Sequence, residues 1–324
     1  MTHAIRFHRT GGPEVLVWEE VKLGRPGAGE ARIRHTAVGL NFIDIYNRSG
    51  LYPVQLPSGL GGEGAGVIEE VGPGVTDLKA GDRVAYGGAP LGAYAEERLI
   101  PSDRLLKLPD DIDDKTAAAM MLKGLTAQYL IRQTYRVKAG DTILLHAAAG
   151  GVGLILGQWA KHLGATVIGT VSSDEKAKVA QGHGCAHTII YTREDFVKRI
   201  DEITQGRKVP VVYDSVGKDT FLKSLDCLAP LGFAVLFGQS SGNVEPLNLG
   251  LLAQKGSLYV TRPTLNTYAA KRENLLAMAK ELFDVVLSGV VKIEVHQTYS
   301  LKDAAKAHAD LAARKTTGST VLLV

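Results

Sequence analysis

Cysteine is nearly absent from this chain. Two occur in 324 residues, Cys185 and Cys227, and neither has a CxxC partner. That excludes a disulfide framework, a four-cysteine zinc lobe and a dithiol redox motif. Long apolar runs are missing as well: nowhere do about 18 apolar residues follow one another, so no membrane span is expected. The start, MTHAIRFHRTGG, lacks the apolar stretch of a secretory signal. Neither charge sign dominates, with 37 Lys and Arg against 34 Asp and Glu and a net charge of +3. With aromatics at only 6%, there is no basic and aromatic stripe for nucleic acid and no membrane-binding face. A cytoplasmic protein working on a small molecule is the expectation.

What is present is ordinary globular material, 45% hydrophobic and 22% charged. At about 150 residues per domain, the length allows two cores. The first 120 residues read as β-rich. AIRFH, ARIRHTAVG, GAGVIEEVG and DRVAYGG are short, partly alternating runs between Gly and Pro turns. Near residue 115 the texture becomes helical, in KTAAAMMLKGLTAQYLIRQTY. From residue 142 strands and helices alternate. TILLHA, TVIGTV, HTIIY, VPVVYDSV, GFAVLFG and SLYVTR predict six strands, separated by amphipathic helices that include DTFLKSLDCLAP. Continuous Val/Ile/Leu strands of this kind belong to a parallel sheet covered on both faces. The tail mixes again: a helix near 270–288, a strand near VVKIEV, the helix DAAKAHADLAAR and a last strand STVLLV.

HAAAGGVG (146–153) follows the first strand of the alternating series and opens a helix. That is the position of a dinucleotide's phosphate-binding turn, where a Cβ would keep the pyrophosphate from the backbone and a helix N-terminus holds the anion. The spacing is Ala147-x-x-Gly150-x-x-Gly153, with alanine in place of the first glycine. Gly150, Gly151, Val152 and Gly153 are therefore expected at the cofactor. An acid usually ends the second strand of an NAD site. Here Ser172 and Ser173 stand there, Asp174 comes two residues late and Lys176 follows. Ser172 and Lys176 suit an anionic 2′-phosphate, which favours NADPH. Equally, Ser172-x-x-Glu175 makes a capping box, and Lys176 an ordinary helix lysine. Among the nine histidines, His146 is expected to be buried and hydrogen-bonded, and HGCAH (183–187) to be packing and surface rather than a metal site.

The stretch GDTILLHAAAGGVGLILGQWAK (140–161) closely resembles quinone oxidoreductases of the zeta-crystallin type, a zinc-free branch of the medium-chain dehydrogenase/reductase superfamily. GGPEVL, GLNFIDIYNRSGLYP, LPSGLGGEGAGVIEEVG, KAGDRVAY, LKGLTAQYL and VVYDSVG extend the resemblance over the whole chain. It implies an α/β fold class: a doubly wound Rossmann sheet of about six strands inserted into a β-rich, GroES-like barrel domain. The expected division is 1–124 plus 291–324 for the catalytic domain and 125–290 for the NADPH-binding domain, with the cleft between them and a homodimer as the assembly. Where zinc-containing relatives carry a cysteine and a GHE histidine, this chain has Asn41 and Gly62, and only Glu63 remains. No metal is expected. A quinone suits that loss, because it is electrophilic already and mainly needs the nicotinamide held close.

By resemblance Asn41, Asp44 and Tyr46 lie by the nicotinamide and substrate, with Tyr46 covering or hydrogen-bonding a quinone. A loop capping its own helix is the plainer account of NFIDIY. Thr126 in KGLT resembles the residue at the carboxamide end. Tyr191, after HTII, is placed to stack on the adenosine or reach the 2′-phosphate, or simply to pack an edge. Phe237 and Gly238 are expected under the nicotinamide half, and Ser240, Ser241 and Asn243 in the following loop, at the carboxyl edge where open α/β sheets bind ligands. Arg314 resembles a cofactor-contacting arginine. The expected function is NADPH-dependent reduction of quinones by hydride or single-electron transfer. The rivals are reduction of an enone or enoyl double bond, and a non-catalytic NADPH-binding protein of crystallin or RNA-binding type.

Overall fold

The computed structural model describes residues 1–324. The chain folds into two compact units. The first comprises residues 1–125, 268–287 and 293–324; the second comprises 126–267 and 288–292. The expected division at 290 thus differs for the helix Arg272–Leu287, which packs with the first unit.

The first unit is β-rich, as its short Gly-punctuated runs require. Its larger sheet places Val295–Ser300, Ser319–Leu323, Glu30–Leu40, Glu63–Val71, Arg83–Gly87 and Leu106–Lys107 side by side, with Glu97–Pro101 also pairing with Glu30–Leu40. A smaller sheet joins Val17–Val21, Thr2–Phe7 and Ser58–Gly59. Inward residues of both sheets, among them Phe7, Ile33, Val38, Ile68 and Val84, form one core together with Leu60 and Tyr94 from the connecting segments. The long strand Glu30–Leu40 runs straight into the helix Phe42–Ser49, so Asn41 sits at a strand-to-helix corner.

In the second unit six parallel strands lie in the order Cys185–Ile190, Thr166–Val171, Thr142–Leu145, Val209–Asp214, Leu228–Leu236, Tyr259–Thr261. The chain winds outward from Thr142–Leu145 in one direction, then returns to that strand's other side. This reversal opens a crevice at the carboxyl ends of the strands. Three of the four inner strands, Thr166–Val171, Thr142–Leu145 and Val209–Asp214, are almost wholly buried, which is why their sequences are largely aliphatic runs.

Two expected elements are corrected. DTFLKSLDCLAP holds only the short helix Phe221–Ser224 and a 3₁₀ turn, Leu225–Cys227. Leu228 already pairs with Val209 in the sheet, and Pro230 has no N–H to continue a helix. The strand expected near VVKIEV begins at Val295. The backbone of Lys292 is instead bonded to a side chain, since Gln158 accepts from its N–H at 3.0 Å and donates to its C=O at 3.1 Å.

Candidate active site

Asn41 and Glu63 build the centre of a buried polar cluster in the first unit. Asn41 Nδ2 donates to Glu63 Oε2 at 2.7 Å, and the ammonium of Lys123 reaches the same oxygen at 2.8 Å. Leu122 N–H donates to the other oxygen at 2.8 Å. Asn41 is 6% exposed, Lys123 5% and Glu63 0%. Such a pair is tolerated because every partner is present; breaking one side of it costs about 3–5 kcal/mol. Room for the carboxylate comes from Gly39, where a Cβ would lie 2.1 Å from Glu63 Oε2 and 2.3 Å from the Ala118 carbonyl.

Asp44 lies one turn into the same helix. Its Oδ2 accepts from the Asn41 N–H and from the Tyr94 hydroxyl, both at 2.9 Å. That bond is one half of a capping box whose other half is the Asn41 side chain accepting from the Asp44 N–H, so the plainer account of NFIDIY holds for both residues, with the Asn41 NH₂ turned to Glu63. Burial raises the Asp44 carboxyl to about 7, against the lowering by its two hydrogen bonds and by Lys123. Its Oδ1 is buried with no partner. Behind Tyr94, His308 Nε2 lies 3.2 Å from the hydroxyl, and Arg48 lies 3.4 Å from His308 Nδ1. Burial, helped by the Arg48 charge, pushes His308 down to about 3. A neutral His308 donates from Nε2 to Tyr94 and accepts at Nδ1, so each hydrogen bond in this chain points toward Asp44.

Tyr46 is 7% exposed. Its ring lies 5.7 Å from Phe42 and meets Tyr52 edge-on at 5.2 Å. His35 is neutral, pushed to about 3 by burial, and engaged by Ala95 O at 2.7 Å and Tyr86 OH at 2.8 Å. It anchors the sheet and takes no part in the Asn41 cluster.

In the second unit the glycine-rich turn is shaped for an anion. The helix Gly151–His162 starts at Gly150 with no side-chain cap and no acid in its first turn. Its geometry leaves the N–H groups of Gly151, Val152 and Gly153 without intrahelical acceptors. Gly153 lets this helix approach the strand end, since a Cβ there would be 2.6 Å from the carbonyls of both Ala147 and Ala148. Ala147 holds a left-handed φ of 53°. His146 is buried, bonded to Thr170 Oγ1 and Ser224 Oγ at 2.9 Å each, as the sequence suggested.

At the end of the second strand the capping residue is Ser173, not Ser172: its Oγ accepts from Lys176 N–H at 3.3 Å. The one-residue difference arises because the strand includes Val171 and the helix starts at Asp174. The cap is therefore supplied without the Ser172 hydroxyl. Asp174 is drawn to Arg193 by two hydrogen bonds of 2.6 and 2.8 Å. Tyr191 is 37% exposed just past its strand. Phe237 N–H donates to Asp214 O at 2.8 Å, and Gly238 passes so close to Ser215 that a Cβ would meet its carbonyl at 2.8 Å. Ser240 N–H donates to Ser215 O. Ser241 is occupied by its own loop, donating to Val216 O and accepting from Asp219 N–H. Asn243 is exposed two residues further on. Thr126 is buried in the helix Asp114–Tyr129. Arg314 is exposed, belongs to the first unit, and follows the helix Ala304–Ala312 at φ 58°.

Thus Asn41, Asp44 and Tyr46 share one helix start in the first unit. The glycine turn, Ser172, Lys176, Tyr191, Phe237, Gly238 and Ser240 gather at the carboxyl ends of the strands of the second. Lys123, Tyr94, His308 and Tyr52 were not read from sequence as site residues. The one available signal was Lys123, a charged residue in an otherwise apolar stretch of its helix.

A family model described as the alcohol dehydrogenase GroES-like domain matches residues 27–110, and one described as zinc-binding dehydrogenase matches 151–281. The latter's description is not mirrored in the residues, for no group of three or more His, Cys, Asp or Glu is clustered to hold a metal. A quinone oxidoreductase of Pseudomonas aeruginosa is 58% identical over 324 residues, all of both chains. A 2-haloacrylate reductase of a Burkholderia species is 51% identical, over all of this chain and 99% of its own. The crystal structure of Escherichia coli quinone oxidoreductase complexed with NADPH matches with a TM-score of 0.98 at 52% identity, over 99% of this chain and all of that one.

Proposed function

The chain belongs to the quinone oxidoreductase family of medium-chain dehydrogenases/reductases, and from that membership we propose that it is an NADPH-dependent quinone reductase working through its own side chains. The observation that carries the cofactor is the uncapped, acid-free start of the helix Gly151–His162. Backbone donors of Gly151, Val152 and Gly153 fit a pyrophosphate there. Ser172 and Lys176 receive the 2′-phosphate, with Asp174 kept from it by Arg193. Tyr191 flanks the adenosine end. Phe237, Gly238, Ser240, Ser241 and Asn243 border the nicotinamide half together with Thr126, and Arg314 is a further cofactor residue by resemblance.

NADPH supplies a hydride, and the reduced acceptor needs a proton beside it. Asn41 orients the nicotinamide end, and Tyr46, backed by Phe42 and Tyr52, presents an aromatic face to the quinone. Asp44 holds a proton near neutrality that an ordinary aspartate would have lost, with Tyr94 and His308 aligned behind it. Such a site works by holding reactants together and excluding water.

A second reading is reduction of an activated carbon–carbon double bond, favoured by the likeness to the 2-haloacrylate reductase. Steady-state oxidation of NADPH and NADH with a benzoquinone, a polycyclic ortho-quinone, an enone and a 2-haloacrylate separates the two. Quinone turnover with NADPH is expected. Turnover of the alkenes alone would transfer the chain to the second reading.

We also propose a cytoplasmic homodimer. No helix is long and apolar enough to cross a membrane, and both cysteines are free and buried. The dimer is supported by the outermost strand of the six, Tyr259–Thr261, whose far edge pairs with nothing in this chain, and by Tyr259 at 52% and Val260 at 39% exposure.

A further inference from the structure

Two buried hydroxyls grip the ring of His146, just past the end of the strand Thr142–Leu145. Thr170 Oγ1, on the neighbouring strand Thr166–Val171, lies 2.9 Å from Nδ1. Ser224 Oγ, at the end of the short helix after Val209–Asp214, lies 2.9 Å from Nε2. The Ser224 hydroxyl donates its only hydrogen to Thr220 O at 2.8 Å, so toward the ring it accepts. The ring proton is therefore assigned to Nε2, and Nδ1 accepts from Thr170. Burial holds the ring below the ordinary histidine range, against the nearby Asp214, so it keeps this neutral form at pH 7. Phe196 meets it edge-on at 5.0 Å.

Thr170 is held a second time. The Ala148 N–H donates to its carbonyl at 3.1 Å, so residues 146–148 clasp Thr170 by both hydroxyl and backbone. Between the two bonds lies Ala147, at a left-handed φ of 53°. A residue with a Cβ stays in that region only where its surroundings fix it. Gly169 lets the turn lie this close, since a Cβ there would come 2.6 Å from that of Ala148. Ala147 in turn accepts the Gly150 N–H at 2.9 Å, at the start of the glycine-rich helix, and two residues beyond Thr170 stands Ser172. The clasp thus joins the two places proposed above for phosphate.

We infer that His146 is a positioning residue of the cofactor site: through Thr170 it ties the glycine turn to the end of the second strand, and so fixes the spacing between the pyrophosphate cradle and the corner that receives the 2′-phosphate. The inference rests on the NADPH reading proposed above for Gly151–Gly153 and Ser172.

The test compares full-length wild type, Thr170→Val and Thr170→Ser. Valine keeps the shape of threonine and loses the hydroxyl; serine keeps the hydroxyl and loses the methyl. Fluorescence titration gives the Kd for NADPH and for NADH, with thermal melting alongside. Thr170→Val is expected to raise the Kd for NADPH about three- to tenfold, the size of one lost hydrogen bond between neutral groups. NADH should lose less, because it has no phosphate for the Ser172 corner. Thr170→Ser should bind NADPH as wild type does, even if it melts lower than the valine variant. A threonine that only packs would give the reverse order, with serine the weaker binder because it leaves a cavity. That order overturns the inference, and so does an equal loss of both nucleotides in Thr170→Val. A second readout needs no variant at Thr170. In ¹H–¹⁵N spectra of the cofactor-free protein at pH 7, the His146 ring, identified by loss of its signals in His146→Gln, should carry its proton on Nε2 alone. A proton on Nδ1 overturns the inference as well. If wild type fails to bind NADPH, the cofactor reading falls and the inference with it; the ring spectra, taken without nucleotide, tell that failure from a misread clasp.

Discussion

The Tyr94 hydroxyl donates to Asp44 Oδ2 at 2.9 Å, while Oδ1 of the same carboxyl is buried with no partner at all. One oxygen is well served and the other is stranded, and burial outweighs the hydrogen bonds in raising the group from 3.8 to about 7. The sign of the consequence follows from proton counting. Between those two values the folded protein holds a proton that the unfolded chain has released. Stability from this group is therefore fully present below pH 3.8 and is lost as pH rises through about 7. The size is on the order of 4 kcal/mol. Asp44→Asn removes the titration. Urea unfolding across this range should show a shallower decline for the variant and a gain in stability over wild type at alkaline pH. An unchanged slope would show that Asp44 stays ionised in the fold.

Two glycines of the phosphate turn should respond differently to a methyl group. At Gly153 a Cβ would come within 2.6 Å of two carbonyl oxygens, and neither belongs to a flexible side chain. Gly153→Ala should push the helix off the strand end, lowering stability by about 1–3 kcal/mol and abolishing NADPH binding together. At Gly150 the nearest atom is 3.1 Å away and φ is −84°, which alanine adopts freely. Gly150→Ala should melt close to wild type yet weaken NADPH at least tenfold, because its methyl enters the space of the phosphates. If both variants fold and bind normally, the turn is only a joint. Ala147→Gly, which relieves the left-handed φ of 53°, should stabilise the fold by about 1 kcal/mol in thermal unfolding.

How far the sequence was legible depends on the distance over which each feature is decided. HAAAGGVG and the six aliphatic strands are local patterns, and the structure repeats them with small changes of boundary. Where a partner far along the chain decides, local pattern misled. Lys292 looked like a strand residue, but Gln158, 134 positions away, takes both of its backbone groups. The corner Asn41–Asp44 was legible as polar and helix-capping. That Asn41 would lie on Glu63, and Glu63 on Lys123 60 residues on, was not, because burial of a charge pair leaves no periodic signature. Tyr94 and His308 meet across 214 residues for the same reason. The serine pair at 172–173 failed at the smallest scale. Either hydroxyl could cap the helix, and only the strand's true end selects Ser173.

That selection bears on cofactor preference. With the cap made by Ser173, the Ser172 hydroxyl is not consumed, and Lys176 sits half-buried in the first turn of its helix. Lys176→Ala should raise the Kd for NADPH about 10- to 100-fold, the range for a lost charge-assisted hydrogen bond, and leave NADH binding unchanged. Arg193→Ala should act in the same direction and more weakly, by freeing Asp174 to repel the 2′-phosphate. Fluorescence titration with both nucleotides reads the ratio. Equal weakening of the two would place the effect in the fold of the turn and not at the phosphate.

The edge strand Tyr259–Thr261 carries the last expectation. It pairs with Leu228–Leu236 on one side only, so its outer N–H and C=O groups form an open ladder, flanked by the exposed faces of Tyr259 and Val260. Soluble proteins blunt such edges with charge, proline or cover, yet the exposed residues here are apolar. The stacking of Tyr259 on Phe233 at 4.7 Å holds the strand flat against the sheet and leaves that edge in position to receive another. A second copy related by a two-fold axis would satisfy both edges at once, antiparallel, and extend the sheet. Val260→Lys should then halve the mass seen by light scattering while leaving the melting of the single chain and its NADPH binding nearly unchanged, since Val260 packs no core. A wild-type monomer, or a variant that stays dimeric, would mean that the edge is left open and that any pairing of chains uses another face.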